Sequence, residues 1–263
     1  MRTVRRITLI ILVIVLAATL FSCAAREAAP AVKIGIIGAM ADEVATLKEE
    51  MDITGTETVA DMKFCEGMLD GKDVVVVQCG MGKVNAGICA QTLISDFGVD
   101  CVINTGVAGS LTNDLDIGDI VVSTEAVQHD FDVSSIGFKR GEIPYTGLIS
   151  FPADDNLRQI AVSTIEESYS DVNVLEGRIC SGDQFINTDE QKTRIIKQFG
   201  GLCCEMEGGA IAQACYLNHV PYVIIRAISD KFDGSNQIDY EIFEEDAANK
   251  CAAIVRSMIG SIE

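Results

Sequence analysis

Acidic side chains stand next to two short apolar segments in the last third of the chain. Glu205 and Glu207 precede a segment with helical spacing, and Asp230 follows the apolar run 222–228, which is typical of a buried strand. The carboxyl ends of such strands form the crevice in which α/β proteins bind small ligands. Because a buried carboxylate is costly unless it is paired, hydrogen-bonded or protonated, this arrangement indicates chemistry.

The elements that must position these acids alternate along the chain. Asp70 and Gly71 separate two strand-like runs and predict a hairpin. The predicted strands are residues 33–37, 62–69, 73–78, 101–104, 119–123, 175–180 and 222–228, and the predicted helices are residues 41–51, 84–97, 155–167, 188–199, 206–217 and 240–258. The alternation predicts an α/β fold with a mixed or mainly parallel sheet covered by helices.

The chain is strongly acidic and begins with a segment of different character. Three arginines precede an apolar run over residues 7–20, and small residues follow, which predicts a secretory signal peptide over residues 1–22. The formal net charge of −19 would become −22 without that segment, which contains no acid. Nucleic acids and anionic lipids bind to basic patches, so we expect neither as a partner.

The cysteine after this segment suggests a lipid anchor. Cys23 follows Leu-Phe-Ser and is similar to the lipidated cysteine of bacterial lipoproteins, although Phe21 is a poor fit to that motif. An uncleaved N-terminal anchor is the alternative. We therefore expect a lipidated Cys23 and tether over residues 23–32, followed by one domain over residues 33–263. The protein would be exported and held to a membrane on its periplasmic or cell-surface side.

Cysteine and histidine patterns give no sign of a metal site or a disulfide framework. Nine cysteines follow Cys23, most of them inside apolar runs, which indicates buried residues that act as small hydrophobes. The odd number leaves at least one thiol free in an oxidising compartment. The two histidines, His129 and His219, lack the spacing of metal ligands, so we expect no metal.

Three loops that follow predicted strands could contact a ligand, although each has an ordinary structural explanation. They are residues 36–40, which lead into Glu43, residues 105–109 and residues 181–187. The first loop lacks the GxGxxG pattern of a dinucleotide site. Taken alone, Glu43 fits a solvated helix carboxylate, Glu207 an acid at a helix start, and Asp230 a helix cap. Only the combination of these residues points to a site.

That combination resembles the methylthioadenosine/S-adenosylhomocysteine nucleosidases of the nucleoside phosphorylase superfamily. The similarity runs in order from residue 33 to about residue 258. The matching stretches are KIGIIGAM at 33–40 with Glu43, INTG at 103–106, GDIVVS at 118–123, SGD at 181–183, FIN at 185–187, EME at 205–207 and RAISD at 226–230. The resemblance implies a nucleoside phosphorylase-like, three-layer αβα fold, with a central mixed β-sheet flanked by helices.

The resemblance also implies hydrolysis of the bond between adenine and ribose in a 5′-modified adenosine, without a cofactor. Glu43 would activate the attacking water, and Asp230 would protonate N7 of the leaving adenine with the help of Ser229. Glu207 would bind the 2′- and 3′-hydroxyls of the ribose, and Arg226 would orient the carboxylates.

Further residues would surround the adenosine. Met206 would lie against the sugar, Phe185 would stack on the adenine ring, and the backbone of Ile186 would read the adenine edge. Val107 stands where the family often has serine, so one hydrogen bond on the ribose side would be missing.

The resemblance places the 5′ substituent between Met40, Ile186 and Tyr240. Ile136 and Pro144 lie where a dimer partner reaches into this pocket in the family, so a homodimer is implied. Tyr240 and Ile136 replace the more usual phenylalanine, which would shift the preference for the 5′ group.

The chemistry of the bond agrees with these roles. Glycosidic cleavage passes through an oxocarbenium-like state, and adenine is a poor leaving group until N7 is protonated. Burial and neighbouring acids raise the pKa of an aspartic acid, so that it can hold the proton near neutral pH. Hydrolysis is favoured over phosphorolysis because Glu43 would repel a phosphate and suits a water.

Two other functions stay open at this point. A nucleosidase of the futalosine or aminofutalosine type would differ in its 5′ pocket. A non-enzymatic exported lipoprotein that binds nucleosides would have no use for Glu43, Glu207 and Asp230 around one bond. We therefore predict a hydrolase of methylthioadenosine, S-adenosylhomocysteine and 5′-deoxyadenosine.

Overall fold

Strands and helices alternate through the part of the chain that the computed structural model describes, residues 32–232 and 236–263, without the side chains of residues 236–239 and 241. The strands are β1 (Lys33–Gly38), β2 (Asp52–Val59), β3 (Met62–Leu69), β4 (Lys72–Gln78), β5 (Cys101–Ser110), β6 (Ile120–Gln128), β7 (Ser150–Pro152), β8 (Val174–Ser181), β9 (Cys203–Glu205) and β10 (Tyr222–Asp230). The α-helices are α1 (Asp42–Glu50), α2 (Lys83–Ser95), α3 (Asp155–Ser168), α4 (Asp189–Phe199), α5 (Gly208–Asn218) and α6 (Asn236–Ile259).

One mixed sheet contains all of these strands. Strand β1 pairs in parallel with β4 and β5, and β5 pairs in parallel with β10. Strand β10 pairs antiparallel with β6, β6 pairs in parallel with β8, and the short β9 joins β8 to β5. The sheet therefore curls until β5, β10, β6, β8 and β9 close into a ring. Strands β1, β4, β3 and β2 extend from this ring in that order.

Helices cover both faces of the sheet. Neighbouring residues of β1 point to opposite faces, so that Ile36 packs with the apolar sides of α1, α3 and α6, whereas Ile37 packs with those of α2 and α5. A smaller apolar cluster lies under α4. The predicted αβα arrangement is confirmed. Because β1, β5 and β10 are parallel, their carboxyl ends meet at one edge of the sheet.

The hairpin between β3 and β4 has the geometry that its sequence predicts. Asp70 and Gly71 both have positive φ angles, 47° and 80°. This is the conformation of a two-residue turn whose twist matches that of the flanking strands.

Several boundaries differ from the predicted ones. Strands β5, β6 and β10 run further than their apolar cores, because polar side chains near their carboxyl ends are also buried. The sequence does not predict β2, which is polar and lies at the sheet edge, nor β7 and β9, which have three residues each. Helix α5 begins at Gly208, so Glu207 is its N-cap residue and Glu205 ends β9.

The cysteines behave as small buried hydrophobes. All nine cysteines of the described residues are buried and unpaired, which confirms the interpretation of their apolar surroundings. Within residues 32–232 and 236–263, no helix combines the length and apolar character of a membrane span. The predicted signal peptide over residues 1–22, and Cys23 with it, lie outside the described residues.

Candidate active site

A fully buried arginine lies behind the site and faces three carboxylates. Arg226 of β10 has no solvent-exposed surface. Its Nη2 donates a hydrogen bond to Glu205 Oε2 at 2.5 Å and lies 3.6 Å from Glu207 Oε2. Its Nη1 lies 3.9 Å from Glu43 Oε1. The acids come from two stretches far apart in the sequence, around Glu43 and over residues 205–207, and one guanidinium balances part of their charge.

Backbone groups hold Glu43 in place from two sides. Its Oε2 accepts hydrogen bonds from the amides of Ala39 at 2.6 Å and Met40 at 2.9 Å, in the turn between β1 and α1. Its Oε1 accepts a hydrogen bond from the amide of Val107 at 3.0 Å, on β5. Glu43 is 1% exposed, so the carboxylate is fixed rather than solvated. The interpretation of Glu43 as an ordinary surface acid is wrong.

Glu205 anchors the start of helix α5. Its Oε2 accepts hydrogen bonds from the amides of Glu207 at 2.9 Å and Gly208 at 2.7 Å, and its Oε1 accepts one from the Ser181 hydroxyl. These are amides that a helix start leaves without intrahelical partners. Glu205 therefore fixes the position of Glu207, whose own Oε1 accepts a hydrogen bond from the amide of Gly82 at 2.8 Å.

Asp230 ends β10, and it does not cap a helix. Ser229 Oγ donates a hydrogen bond to Asp230 Oδ1 at 3.1 Å. Lys192 Nζ of helix α4 donates to Asp230 Oδ2 at 3.2 Å, and both side chains are almost completely buried. A buried lysine facing this carboxylate is a feature that the sequence analysis does not predict.

A short segment of β5 lies between two groups of acids. The first group is Glu43, Glu205 and Glu207 around Arg226, and the second is Asp230. A Cβ atom on Gly106 would lie 2.1 Å from Arg226 Nη1 and 2.3 Å from Glu43 Oε1, and one on Gly109 would lie 2.8 Å from Asp230 Oδ2. Only glycine leaves room for the acids and the arginine at these two positions. The two glycines of the INTGVAG motif, residues 103–109, therefore let the backbone approach the acids at both ends of the site.

These acids line a cavity that opens to solvent. Its wall contains many of the predicted site residues, namely Met40, Glu43, Val107, Phe185, Met206, Glu207, Ser229, Asp230 and Tyr240, together with Ala39, Met81, Ala108, Gly109, Cys204 and Glu205. The Phe185 ring, which is 46% exposed, meets the Tyr240 ring edge to face, with centroids 5.3 Å apart. Tyr240 also donates a hydrogen bond to the sulfur of Met40 at 3.5 Å. Aromatic and thioether groups thus frame the mouth, and carboxylates lie deeper.

The remaining predicted residues lie outside this wall. Arg226 lies behind the carboxylates, and Ile186 lines a smaller adjoining cavity that shares Phe185 and Asp230 with the first. Ile136 is 72% exposed on a 3₁₀ turn over Ser134–Ile136, and neither it nor the half-buried Pro144 lines the cavity of its own chain.

Burial and charge shift the acid–base properties of the site. Burial raises the pKa of Glu43, against the opposing effects of Arg226 and three backbone hydrogen bonds. Burial, and then the charge of Glu205, raise the pKa of Glu207 to about 7. Burial alone would lower the pKa of Arg226, but its carboxylate neighbours outweigh this effect and raise it. A carboxylate with a raised pKa is a stronger base, which suits proton transfer near neutral pH.

No group of three or more histidine, cysteine, aspartate or glutamate side chains has a metal-binding arrangement in the described residues.

The sequence analysis does not predict two features of the site. They are the buried Lys192 beside Asp230 and the role of Glu205 as the anchor of helix α5. A signal for Lys192 exists in the sequence, since it lies three residues before Ile195 and seven before Phe199, on the apolar side of α4.

Comparisons with known proteins agree with the geometry. Residues 33–260 match the family described as the Phosphorylase superfamily. The 5′-methylthioadenosine/S-adenosylhomocysteine nucleosidase of Staphylococcus haemolyticus is 41% identical over 227 residues, which cover 86% of this chain and 98% of the relative.

Two solved structures of differently named enzymes are similar to this fold. The Neisseria meningitidis 5′-methylthioadenosine/S-adenosylhomocysteine nucleosidase in complex with methylthio-immucillin-A has a TM-score of 0.84 and 36% identity, covering 88% of this chain and 99% of that one. The futalosine hydrolase of Helicobacter pylori has a TM-score of 0.83 and 32% identity, covering 88% and 98%. From its match over residues 33–260 and its identity to full-length relatives, this chain belongs to the phosphorylase superfamily and, within it, to the 5′-methylthioadenosine/S-adenosylhomocysteine nucleosidase family.

Proposed function

We propose that this protein hydrolyses the N-glycosidic bond of 5′-methylthioadenosine, S-adenosylhomocysteine and 5′-deoxyadenosine, releasing adenine and the 5′-modified ribose. The observation that carries the proposal is the placement of acids around one cavity. Glu43 and Glu207 lie beside Arg226, whereas Asp230 lies by Gly109 at the other end of the same β5 segment. A reaction that needs a base and an acid on different sides of one bond suits this arrangement.

The charge of the cavity wall favours water over phosphate as the nucleophile. Among the described residues that line it, none is a lysine or an arginine, and two are glutamates beside Glu43. Arg226 is engaged by carboxylates, so its charge is not available to an incoming anion. Phosphate would meet net negative charge here, whereas a water could donate a hydrogen bond to Glu43.

Each acid then has a distinct role. Glu43 takes a proton from the attacking water, and its raised pKa makes it a better base. Glu207 accepts hydrogen bonds from the ribose hydroxyls, with Met206 against the sugar. Asp230, supported by Ser229, gives a proton to N7 of adenine. The carboxylates around Arg226 also stabilise the positive charge that develops on the sugar.

The substrate base and its 5′ group would contact different residues of the cavity wall. Phe185 stacks on adenine, and the backbone of Ile186 reads its edge from the adjoining cavity. Met40 and Tyr240 present a thioether and an aromatic ring to the 5′ group, and such surfaces suit the alkylthio part that methylthioadenosine and S-adenosylhomocysteine share.

Adenine release tests the proposed reaction directly. We expect the purified protein to release adenine from methylthioadenosine, S-adenosylhomocysteine and 5′-deoxyadenosine at the same rate with and without phosphate. Aminofutalosine in a parallel assay tests the related activity of the futalosine hydrolases. Release only in the presence of phosphate would identify a phosphorylase, and tight binding without any release would identify a nucleoside-binding protein.

Two substitutions separate the proposed base from the proposed acid. Glu43→Gln and Asp230→Asn should each lower kcat by about 100-fold or more, because each removes one proton transfer. Substrate binding should persist in Glu43→Gln, and calorimetry with methylthioadenosine checks this. Glu49→Gln, an exposed glutamate on the same helix α1, is the matched control and should keep full activity. Near-normal turnover in either site variant would remove that residue from its role.

We propose that the active form is a homodimer. The support comes from Ile136 and Val84, each 72% exposed, and from Met81, which is 61% exposed and also lines the cavity. A partner subunit would cover these side chains, because contiguous exposed apolar surface marks an interaction site. In a dimer, Ile136 and Pro144 of one subunit would complete the 5′ pocket of the other.

Sedimentation and kinetics test the dimer together. Ile136→Glu should weaken the dimer and raise KM, since it places a charge in an apolar interface beside the 5′ pocket. Ile53→Glu is the control, because Ile53 is also exposed but lies on the edge strand β2. A wild-type protein that sediments as a monomer at assay concentration and is fully active would contradict the proposal.

We also propose that the protein is exported and anchored through lipidated Cys23, as its signal-like N-terminal sequence suggests. Cells grown with labelled palmitate should incorporate label into the wild-type protein but not into Cys23→Ser. An unlabelled wild-type protein in the soluble fraction would exclude the lipid anchor.

A further inference from the structure

We propose that Lys192 is a positioning residue that supplies a buried counter-charge to the carboxylate of Asp230 and thereby sets its strength as the acid. The inference rests on the proposed function, in which Asp230 protonates the leaving adenine. It concerns a residue of helix α4 that lies outside the cavity wall and acts on the substrate only through Asp230.

The burial of Lys192 is hard to explain by packing alone. The residue has no exposed surface and occupies the apolar side of α4 with Ile195 and Phe199. Lysine is almost never fully buried unless its charge is paired. A leucine or methionine would fill the same place without the cost of removing an ammonium group from water. The ammonium group therefore indicates a role for its charge.

The contacts of the ammonium group point to Asp230. Lys192 Nζ donates hydrogen bonds to Asp230 Oδ2 at 3.2 Å and to the carbonyl oxygen of Lys231 at 2.7 Å, and lies 5.9 Å from the centre of the Phe232 ring. These contacts tie α4 to the end of β10. The other carboxylate oxygen, Asp230 Oδ1, accepts a hydrogen bond from Ser229.

The other ionisable groups described around Asp230 include a thiol, a phenol and two carboxyl groups. Cys204 of β9 and Tyr240 of α6 face it and have raised pKa values, chiefly because they are buried. Glu43 and Glu207 line the same cavity and would oppose the ionisation of Asp230. The Lys231 side chain is directed away, toward Asp116. Lys192, in contact with Asp230 Oδ2, favours the carboxylate form.

A counter-charge at this place affects two steps in opposite ways. In the reaction, the proton of Asp230 moves to N7, the electron pair of the glycosidic bond moves to N9, and Asp230 becomes a carboxylate. Lys192 stabilises that carboxylate, so the proton transfer to a weakly basic nitrogen becomes more favourable. In the free enzyme the same charge promotes loss of the proton, so fewer molecules are competent as the pH rises.

The pH profile of the full-length protein tests the inference. Lys192→Met should move the alkaline limb of kcat/KM upward by about 1–3 pH units, because the aspartic acid keeps its proton longer. It should also lower the plateau rate by about tenfold, because the acid is weaker. The pH profiles of the wild type and of Lys192→Met therefore cross, with the wild type faster on the plateau and the variant faster at high pH. Lys192→Arg should stay near the wild type, and Lys197→Met, which removes an exposed charge from the same helix, is the matched control.

A structural role alone would give a different result. It would lower activity at every pH, leave the alkaline limb in place and affect Lys192→Arg as strongly as Lys192→Met, and this outcome would overturn the inference. Should Lys192→Met not fold, Lys192→Gln removes the charge while keeping a polar end and carries the same prediction.

A double-mutant cycle on unfolding provides a readout that does not need turnover. The single variants Lys192→Met and Asp230→Asn and their combination should show a coupling that disappears at low pH, where Asp230 is protonated. Absence of coupling above the alkaline limb of the wild-type profile, where Asp230 is a carboxylate, would also overturn the inference. A wild type that releases no adenine but shows the coupling would contradict only the proposed function.

Discussion

The rest of this site depends on one buried guanidinium, which offsets the charge of the surrounding carboxylates. Arg226 is enclosed by protein, and Glu43, Glu205 and Glu207 approach it from β1–α1, β9 and the start of α5. Removing a single charge from water is costly, and three carboxylates without a cation would repel one another. The arginine makes this concentration of negative charge tolerable, and the acids in turn hold the arginine charged. The pKa of Arg226 is raised for that reason.

The curled sheet is what brings these groups together. Strand β10 carries Arg226 and Asp230, and its pairing with β5 places Gly106 opposite Arg226 and Gly109 opposite Asp230. The ring closes through β9, and this short strand delivers Glu205 to the same arginine. An open sheet would leave β9 and the start of α5 far from β1. The fold and the charge cluster therefore depend on each other.

Much of this arrangement could be predicted, because apolar runs and turn residues specify local elements strongly. The predicted strands over residues 33–37 and 222–228, and the family motifs around Glu43, indicated where the acids would meet. The three-residue strand β9 could not be predicted, since its existence depends on pairing with distant strands. The same holds for Lys192, whose place on an apolar helix face has meaning only beside Asp230.

The chemistry of each carboxylate follows from its neighbours and not from its residue type. Glu205 receives two helix amides and the arginine, and so it anchors α5. Glu207 receives one amide and a more distant arginine, and burial together with the charge of Glu205 raises its pKa to about 7, so in its proposed role it would bind ribose hydroxyls in either protonation state. Asp230 meets a lysine rather than the arginine, so its charge is adjusted independently of the sugar side. Separate cations for the two groups of acids would let the proposed base and the proposed acid coexist in one small, strongly acidic cavity.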